Sequence, residues 1–230
     1  MISNNSSLTE FQKLNQEIYL MINDRAYDNA GIFFRLLRHI TQMLKAVRKK
    51  DYKNMDYYIC MSFSWSLALA NRFHISLADE TWKRFPGFCP YCLSAPCACP
   101  KKRLKKRQKL KKKSLGKRPK SLSEWQQMFA RIYPNVVQTS VTHLAEEAGE
   151  VAEAIGNYSA TRGEDWLVKI TEELIDLITN IFAVATCLDF NLANGLVNYF
   201  ANGCPKCHSS PCSCGYVVVD HSVPFCGKFN

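Results

Sequence analysis

Residues 143–155 read HLAEEAGEVAEAI, and residues 169–181 read KITEELIDLITNI. In both stretches apolar residues recur every three or four positions, which is the spacing of a helix with one buried face. In the first stretch the apolar stripe consists of Leu144, Ala148, Val151 and Ile155. The two stretches predict a pair of long helices, over residues 137–157 and 164–188, that bury their apolar stripes in one core.

Two glutamates border the apolar stripe of the first predicted helix. At about 100° of turn per residue, Glu147 lies roughly 300° and Glu150 roughly 240° from Leu144. Glu146 and Glu153 lie near roughly 200° and 180° and face water. A glutamate-rich helix is commonly just a solvated surface, so this helix alone leaves the choice between a surface and a site open.

Four polar residues follow one edge of the second predicted helix. They are Lys169, Glu173, Asp176 and Asn180. If the two helices pack antiparallel, four carboxylates converge. These belong to Glu147, Glu150, Glu173 and Asp176. Close carboxylates repel one another and are costly to desolvate, and a hard divalent cation such as Mg²⁺ offsets both effects. The second acidic pair therefore favours a metal site over a solvated surface.

The chain also repeats itself. Residues 8–19, LTEFQKLNQEIY, match residues 122–133, LSEWQQMFARIY, and residues 88–99, FCPYCLSAPCAC, match residues 203–214, GCPKCHSSPCSC. The offsets between the paired blocks are 114 and 115 residues. Matching blocks in the same order indicate an internal duplication.

The duplication predicts an all-α protein made of two tandem helical-bundle repeats that form a pseudo-dimer. We divide the chain into a first repeat (residues 1–99), a basic linker (100–120), a second repeat (121–214) and a tail (215–230). The other predicted helices cover residues 8–21, 31–49, 52–73, 77–85, 122–132 and 192–201, and residues 216–219 are predicted to be extended. Two separate bundles on a flexible linker are the alternative.

The first repeat lacks the acidic residues of the second. With His39 aligned to His143 and the cysteine blocks aligned to each other, the positions of the four acids hold Met43, Ala46, Tyr58 and Met61. We therefore expect a silent first repeat that supplies packing surface and one wall of the substrate pocket.

Each repeat ends in a cysteine-rich segment with the pattern C-x₂-C-x₄-C-x-C. Hook 1 contains Cys89, Cys92, Cys97 and Cys99, and hook 2 contains Cys204, Cys207, Cys212 and Cys214. Four thiolates within eleven residues suit a closed tetrahedral Zn²⁺ site. Disulfides are the main alternative, and a redox or shared site is a third.

Positive charge is concentrated in one segment. Residues 100–120 hold 13 of the 30 Lys and Arg residues and no acid, so the formal charge of the rest is 10 − 13 = −3. Such a block stays solvated and either acts only as a spacer or binds nucleic acid or an acidic partner. No apolar run is long enough for a membrane span, and residues 1–10 do not resemble a signal peptide. We therefore expect no membrane partner and a cytoplasmic location.

The spacing Glu147-x-x-Glu150 followed by Glu173-x-x-Asp176 resembles the MazG-like, all-α nucleoside triphosphate pyrophosphohydrolases. The resemblance covers roughly residues 122–201. It implies a helical bundle, often a dimer or higher oligomer, and Mg²⁺-dependent hydrolysis of the α–β phosphoanhydride to a monophosphate and pyrophosphate. The four acids would hold the metal, Lys169 would contact phosphate, and Asn180 would contact sugar, base or phosphate. A non-catalytic, zinc-containing protein that senses nucleotides or is tethered to nucleic acid is the alternative.

Overall fold

The computed structural model describes residues 2–99, 116–134 and 136–214, and this part of the chain contains helices and no strand. Its eight helices are α1 (Leu8–Ala26), α2 (Asn29–Lys49), α3 (Met55–Arg72), α4 (Leu77–Arg84), α5 (Leu122–Ile132), α6 (Val137–Thr161), α7 (Glu164–Cys187) and α8 (Leu192–Phe200). The predicted all-α class is confirmed. The tail, its predicted extended residues and most of the basic linker lie outside the described residues.

Within the described ranges, no helix combines the length and apolar character needed to cross a lipid bilayer. The cytoplasmic location stays a prediction.

The first helix of each repeat begins in the same way but ends differently. Ser7 caps α1 by accepting a hydrogen bond from the Glu10 N–H at 3.2 Å, and Ser121 caps α5 by accepting one from the Glu124 N–H at 3.2 Å. The predicted end of α1 at residue 21 was wrong, because the helix continues to residue 26. Pro134 follows α5 and cannot continue a helix. No proline occurs before the end of α1, so that helix is free to run on.

A glutamine in the first helix of each repeat holds the start of the fourth. Its side-chain amide donates to a backbone carbonyl just before that helix, and its side-chain oxygen accepts from the helix's first N–H. The bonds join Gln12 to Ile75 (2.7 Å) and Leu77 (3.2 Å), and Gln126 to Phe190 (2.8 Å) and Leu192 (3.0 Å). These pairs recur at the offsets of the sequence repeat, which is compatible with the predicted duplication.

The two repeats share one hydrophobic core. Helix α2 packs against α3 and α6 against α7, and these two pairs then pack on each other through α2 with α6 and α3 with α7. The rings of Phe63 and Phe182, both fully buried, meet across this junction with their centroids 5.5 Å apart. The arrangement does not fit two separate bundles, because the largest apolar faces of the two repeats cover each other.

The C-terminal part of each repeat lies on the other repeat. Helix α4 packs on α7, and α8 packs on α3. In hook 1 the Cys97 N–H donates to the carbonyl of Ile132 at 2.7 Å, and in hook 2 the Cys212 N–H donates to the carbonyl of Ile18 at 2.8 Å. Each hook is therefore held by the first helix of the opposite repeat, as in a pseudo-dimer with exchanged ends.

The shared core predicts that Phe63→Ala destabilises the whole protein. Removing a fully buried phenylalanine from a packed core costs about 3–5 kcal/mol, and the loss should appear as a lower urea midpoint of one cooperative transition followed by circular dichroism. Phe34 is 63% exposed on α2, so Phe34→Ala is the matched control and should change stability by less than about 0.5 kcal/mol. Equal effects of the two substitutions would contradict the shared core.

Candidate active site

Three glutamates meet where α6 packs against α7. Carboxylate oxygens of Glu147, Glu150 and Glu173 lie within 4.8 Å of one another. Glu173 is only 3% exposed, whereas Glu146 and Glu153 on α6 point to solvent. Glu150 is exposed as well, so what distinguishes it from Glu146 and Glu153 is its proximity to Glu147 and Glu173 and not its burial.

Asp176 lies one turn beyond Glu173 but outside this three-glutamate group. Its carboxylate accepts hydrogen bonds from Nε and Nη2 of Arg84, which also lies 3.4 Å from a carboxylate oxygen of Glu172. Arg84 is the last residue of α4, so this buried cation comes from the first repeat. The fourth carboxylate predicted to hold the metal is therefore engaged by a guanidinium group, and its role as a ligand stays a prediction.

The other two predicted site residues contact the same acidic group or its backbone. Lys169 forms an ion pair with Glu173 one turn along α7, and its side chain is largely exposed. The side-chain amide of Asn180 donates to the backbone carbonyl of Asp176 at 3.0 Å. Lys169 therefore lies at the open edge of the site, and Asn180 faces the pocket described next.

A pocket of about 470 Å³, the carboxylate pocket, opens beside the acidic residues. Glu147, Asp176 and Asn180 line one side, and Tyr133 and His143 extend it. The opposite wall comes from the first repeat. It is formed by Phe85, Cys89, Tyr91, Cys97 and Cys99. Hook 1 of the first repeat therefore lines the same pocket as Glu147 and Asp176 of the second repeat.

The acidic group is electrostatically unfavourable without a cation. Burial, followed by the charges of Asp176, Glu150 and Glu173, raises the pKa of Glu147 to about 8, with Arg84 opposing the shift. A hydrogen bond with Glu173, then burial, raises the pKa of Glu150. Glu147 therefore retains its proton at pH values where a carboxyl group in water has lost it, and a divalent cation bound by its oxygens would favour the ionised form.

Both hooks bring four sulfur atoms together. In hook 1 the Sγ–Sγ distances are 3.5 Å for Cys89 with Cys99 and 3.8 Å for Cys92 with Cys97. In hook 2 the pairs Cys204 with Cys214 and Cys207 with Cys212 are each 3.8 Å apart. A disulfide requires about 2.05 Å, and the described cysteines are all free thiols. Four sulfurs each about 2.3 Å from one ion lie about 3.8 Å apart, so the spacing fits a tetrahedral metal site.

In each hook, hydrogen bonds lower the pKa of one thiol. Burial opposes the ionisation of Cys92, but hydrogen bonds from the Ser94 hydroxyl and the Ala98 N–H outweigh it and lower its pKa to about 6. In hook 2, hydrogen bonds from Ser213 lower the pKa of Cys207 to about 5. Thiolates are the form of cysteine that binds metal ions, which further supports metal binding by the hooks.

Sequence reasoning missed Arg84. It is a single arginine before hook 1, where the second repeat has Tyr199, and nothing in its local sequence marks it. Its pairing with Asp176 arises because α4 packs on the opposite repeat, and helix periodicity does not report that packing. An unmatched charge next to a repeated motif is the only signal that the sequence offers.

Residues 136–207 match the family model of the MazG nucleotide pyrophosphohydrolase domain. The match covers α6, α7 and α8, and the all-helical fold fits this family. It confirms the resemblance inferred from the acidic motifs and points to nucleotide pyrophosphohydrolase activity on a nucleotide substrate. No curated protein and no solved structure matched the chain.

The raised pKa of Glu147 predicts how stability depends on pH in Mg²⁺-free buffer. A carboxyl pKa that is higher in the folded state stabilises the protein below the unfolded value, and this contribution is lost as pH rises through about 8. The melting temperature of the wild type should therefore fall more steeply than that of Glu147→Gln between about pH 5 and about pH 9.

Scanning calorimetry at both pH values provides the measurement, and Glu153→Gln on the exposed side of α6 is the control. Added Mg²⁺ should restore the wild type at high pH more than it restores Glu147→Gln. If the melting temperatures of the wild type and Glu147→Gln depend on pH in the same way, the pKa of Glu147 is not raised in the folded protein.

Proposed function

Starting from the MazG-type domain at residues 136–207, we propose that the protein is a Mg²⁺-dependent nucleoside triphosphate pyrophosphohydrolase with its active site in the second repeat. The observation that supports this best is the convergence of three glutamates beside the carboxylate pocket. Water would add across the α–β phosphoanhydride, so that the new P–O bond replaces the bridging one and leaves a monophosphate and pyrophosphate.

The donor set suits a hard divalent cation. Glu147, Glu150 and Glu173 would hold Mg²⁺ through carboxylate oxygens, and Asp176 would join them if Arg84 shifts to the substrate. When bound, the ion neutralises phosphate charge and lowers the pKa of water. One of the glutamates would accept the proton of the attacking water, since Glu147 lines the pocket and its carboxylate lies beside those of Glu150 and Glu173.

Two cations would have different roles in the reaction, since Lys169 would contact the phosphates and Arg84 would position Asp176. Lys169 lies at the exposed edge of the site, beside Glu173, where its ammonium group can meet the phosphate tail. Arg84 holds Asp176 in a fixed orientation from the other side, which makes it a positioning residue supplied by the first repeat. Asn180 and Tyr133 line the pocket at the end where the sugar and base would lie.

We expect Glu147→Gln and Glu173→Gln to reduce pyrophosphate release by at least about 100-fold, because each removes a charged metal ligand while keeping the side chain's shape. The assay measures pyrophosphate from each common NTP and dNTP with Mg²⁺. Glu146→Gln and Glu153→Gln are matched controls on exposed positions of α6 and should retain wild-type rates. Full activity of the first two variants would refute the site, and no release from any nucleotide would favour the alternative of a nucleotide-sensing protein without turnover.

The sulfur clusters are proposed to hold structural Zn²⁺. We expect two zinc ions per chain by elemental analysis, and one in Cys97→Ser or Cys212→Ser, with a lower melting temperature in each variant because zinc binding contributes to folding. Cys187→Ser, outside both hooks, should keep two ions. Intramolecular disulfides detected by mass spectrometry in the freshly purified protein would contradict this assignment.

A further inference from the structure

The first repeat has a pocket of its own, at the position that corresponds to the carboxylate pocket. We call it the first-half pocket, and its volume is about 660 Å³. Hook 2 closes it through Cys204, Pro205 and Lys206, just as hook 1 closes the carboxylate pocket. Tyr19, His39 and Trp65 take the places of Tyr133, His143 and Asn180. The degenerate repeat thus keeps the cavity although it has lost the acids.

The charge of the first-half pocket is opposite to that of the carboxylate pocket. Arg35, Arg38 and Lys206 line it, and none of its described lining residues is acidic. The equivalent positions around the carboxylate pocket hold Thr139 and Thr142 of the second repeat and Tyr91 of hook 1, so all three cations are particular to the first-half pocket. Among the described residues, neither arginine forms an ion pair with a carboxylate. Both guanidinium groups are therefore available to an anion.

The charges of the two arginines also act on His39, which lines the same pocket. Burial, followed by the charges of Arg38 and Arg35, lowers the pKa of His39 to about 4. A neutral imidazole beside two unpaired arginines is what an anion-binding pocket presents at neutral pH. Metal binding of the catalytic type is disfavoured here, since Met43 and Met61 occupy acidic positions and are buried.

Aromatic side chains form the rest of the wall. Tyr27 and Trp65 meet edge to face with centroids 6.0 Å apart, and the guanidinium of Arg35 lies 5.0 Å from the centre of the Tyr27 ring. Tyr57 and Tyr58 continue the aromatic surface beside His39. Aromatic faces next to arginines suit a ligand that joins a flat ring to phosphate groups.

A buried polar atom also lacks a partner there. Asn23 lines the first-half pocket and is 5% exposed, yet its side-chain oxygen has no hydrogen-bond partner among the described residues. Buried acceptors are normally satisfied, because an unmade hydrogen bond costs about 1–3 kcal/mol. A donor on a ligand, such as a ribose hydroxyl or a base amino group, would satisfy this oxygen.

We propose that the first-half pocket binds a nucleoside phosphate without metal and without turnover. The phosphates would meet Arg35, Arg38 and Lys206, and the nucleoside would lie against Trp65 and the tyrosines with a donor to Asn23. Since none of the described lining residues is acidic, bound nucleotide is held and not cleaved. The inference does not depend on the proposed hydrolysis, because it concerns the other repeat and requires no Mg²⁺.

Calorimetric titration of the full-length protein in Mg²⁺-free buffer tests the proposal. No chelator is added, so that any ions in the hooks stay in place. The eight common NTPs and dNTPs are the probes, with inorganic tripolyphosphate as the ligand that lacks a nucleoside. We expect at least one nucleotide to bind with one site per chain and at least about tenfold more tightly than tripolyphosphate, because only the nucleotide can stack. The ¹⁵N indole resonance of Trp65, assigned with Trp65→Phe, should shift on binding.

A charge-matched pair of variants locates the site. Arg35→Gln/Arg38→Gln should weaken nucleotide binding at least about tenfold through the loss of two charge-assisted contacts. Lys45→Gln/Arg48→Gln removes the same charge from α2 at exposed positions outside the pocket and should bind as the wild type does. The proposal is overturned if no nucleotide binds, if tripolyphosphate binds equally well, or if the two double variants behave alike.

Discussion

Mutual repulsion among the carboxylates between α6 and α7 is the constraint around which the second repeat is arranged. Glu173 is almost fully buried, and the surroundings of Glu147 raise its pKa to about 8. Two cations reduce the repulsion from opposite sides. Lys169 pairs with Glu173 at the exposed edge, and Arg84 pairs with Asp176 from the first repeat. The remaining excess of negative charge supports the proposed binding of a divalent cation, which a negatively charged polyphosphate would need beside these carboxylates.

The first repeat shows what the same helix pair becomes when that constraint is removed. Met43, Ala46 and Met61 fill acidic positions with apolar side chains, all of them buried. Burying such groups is favourable without any ion, so the first repeat is free of the electrostatic cost that the second one carries. Its pocket has nevertheless not collapsed, and Arg35 and Arg38 give it the opposite charge.

Helix periodicity predicted the parts of the site that depend on one helix at a time. It separated Glu147, Glu150 and Glu173, whose carboxylates lie close together in the structure, from Glu146 and Glu153, although Glu150 is exposed as they are. It did not predict the partner of Asp176, because that contact depends on the exchange of α4 between the repeats. The predicted end of α1 was also wrong. Pro134 follows the corresponding helix α5, and no proline follows α1 at the matching position, so α1 continues further. The packing of one repeat on the other depends on contacts between distant parts of the chain. The spacing of apolar residues within one helix does not predict those contacts.

The exchange of the hooks makes each repeat depend on the other for its complete structure. A mutation in hook 1 falls within the first repeat but alters the wall of the carboxylate pocket, and a mutation of Arg84 removes the partner of Asp176. The first repeat lacks the acids of the second repeat, but its C-terminal end still lines the second repeat's pocket. The first repeat is therefore more than a neighbouring domain, because part of the second repeat's pocket is built from its residues.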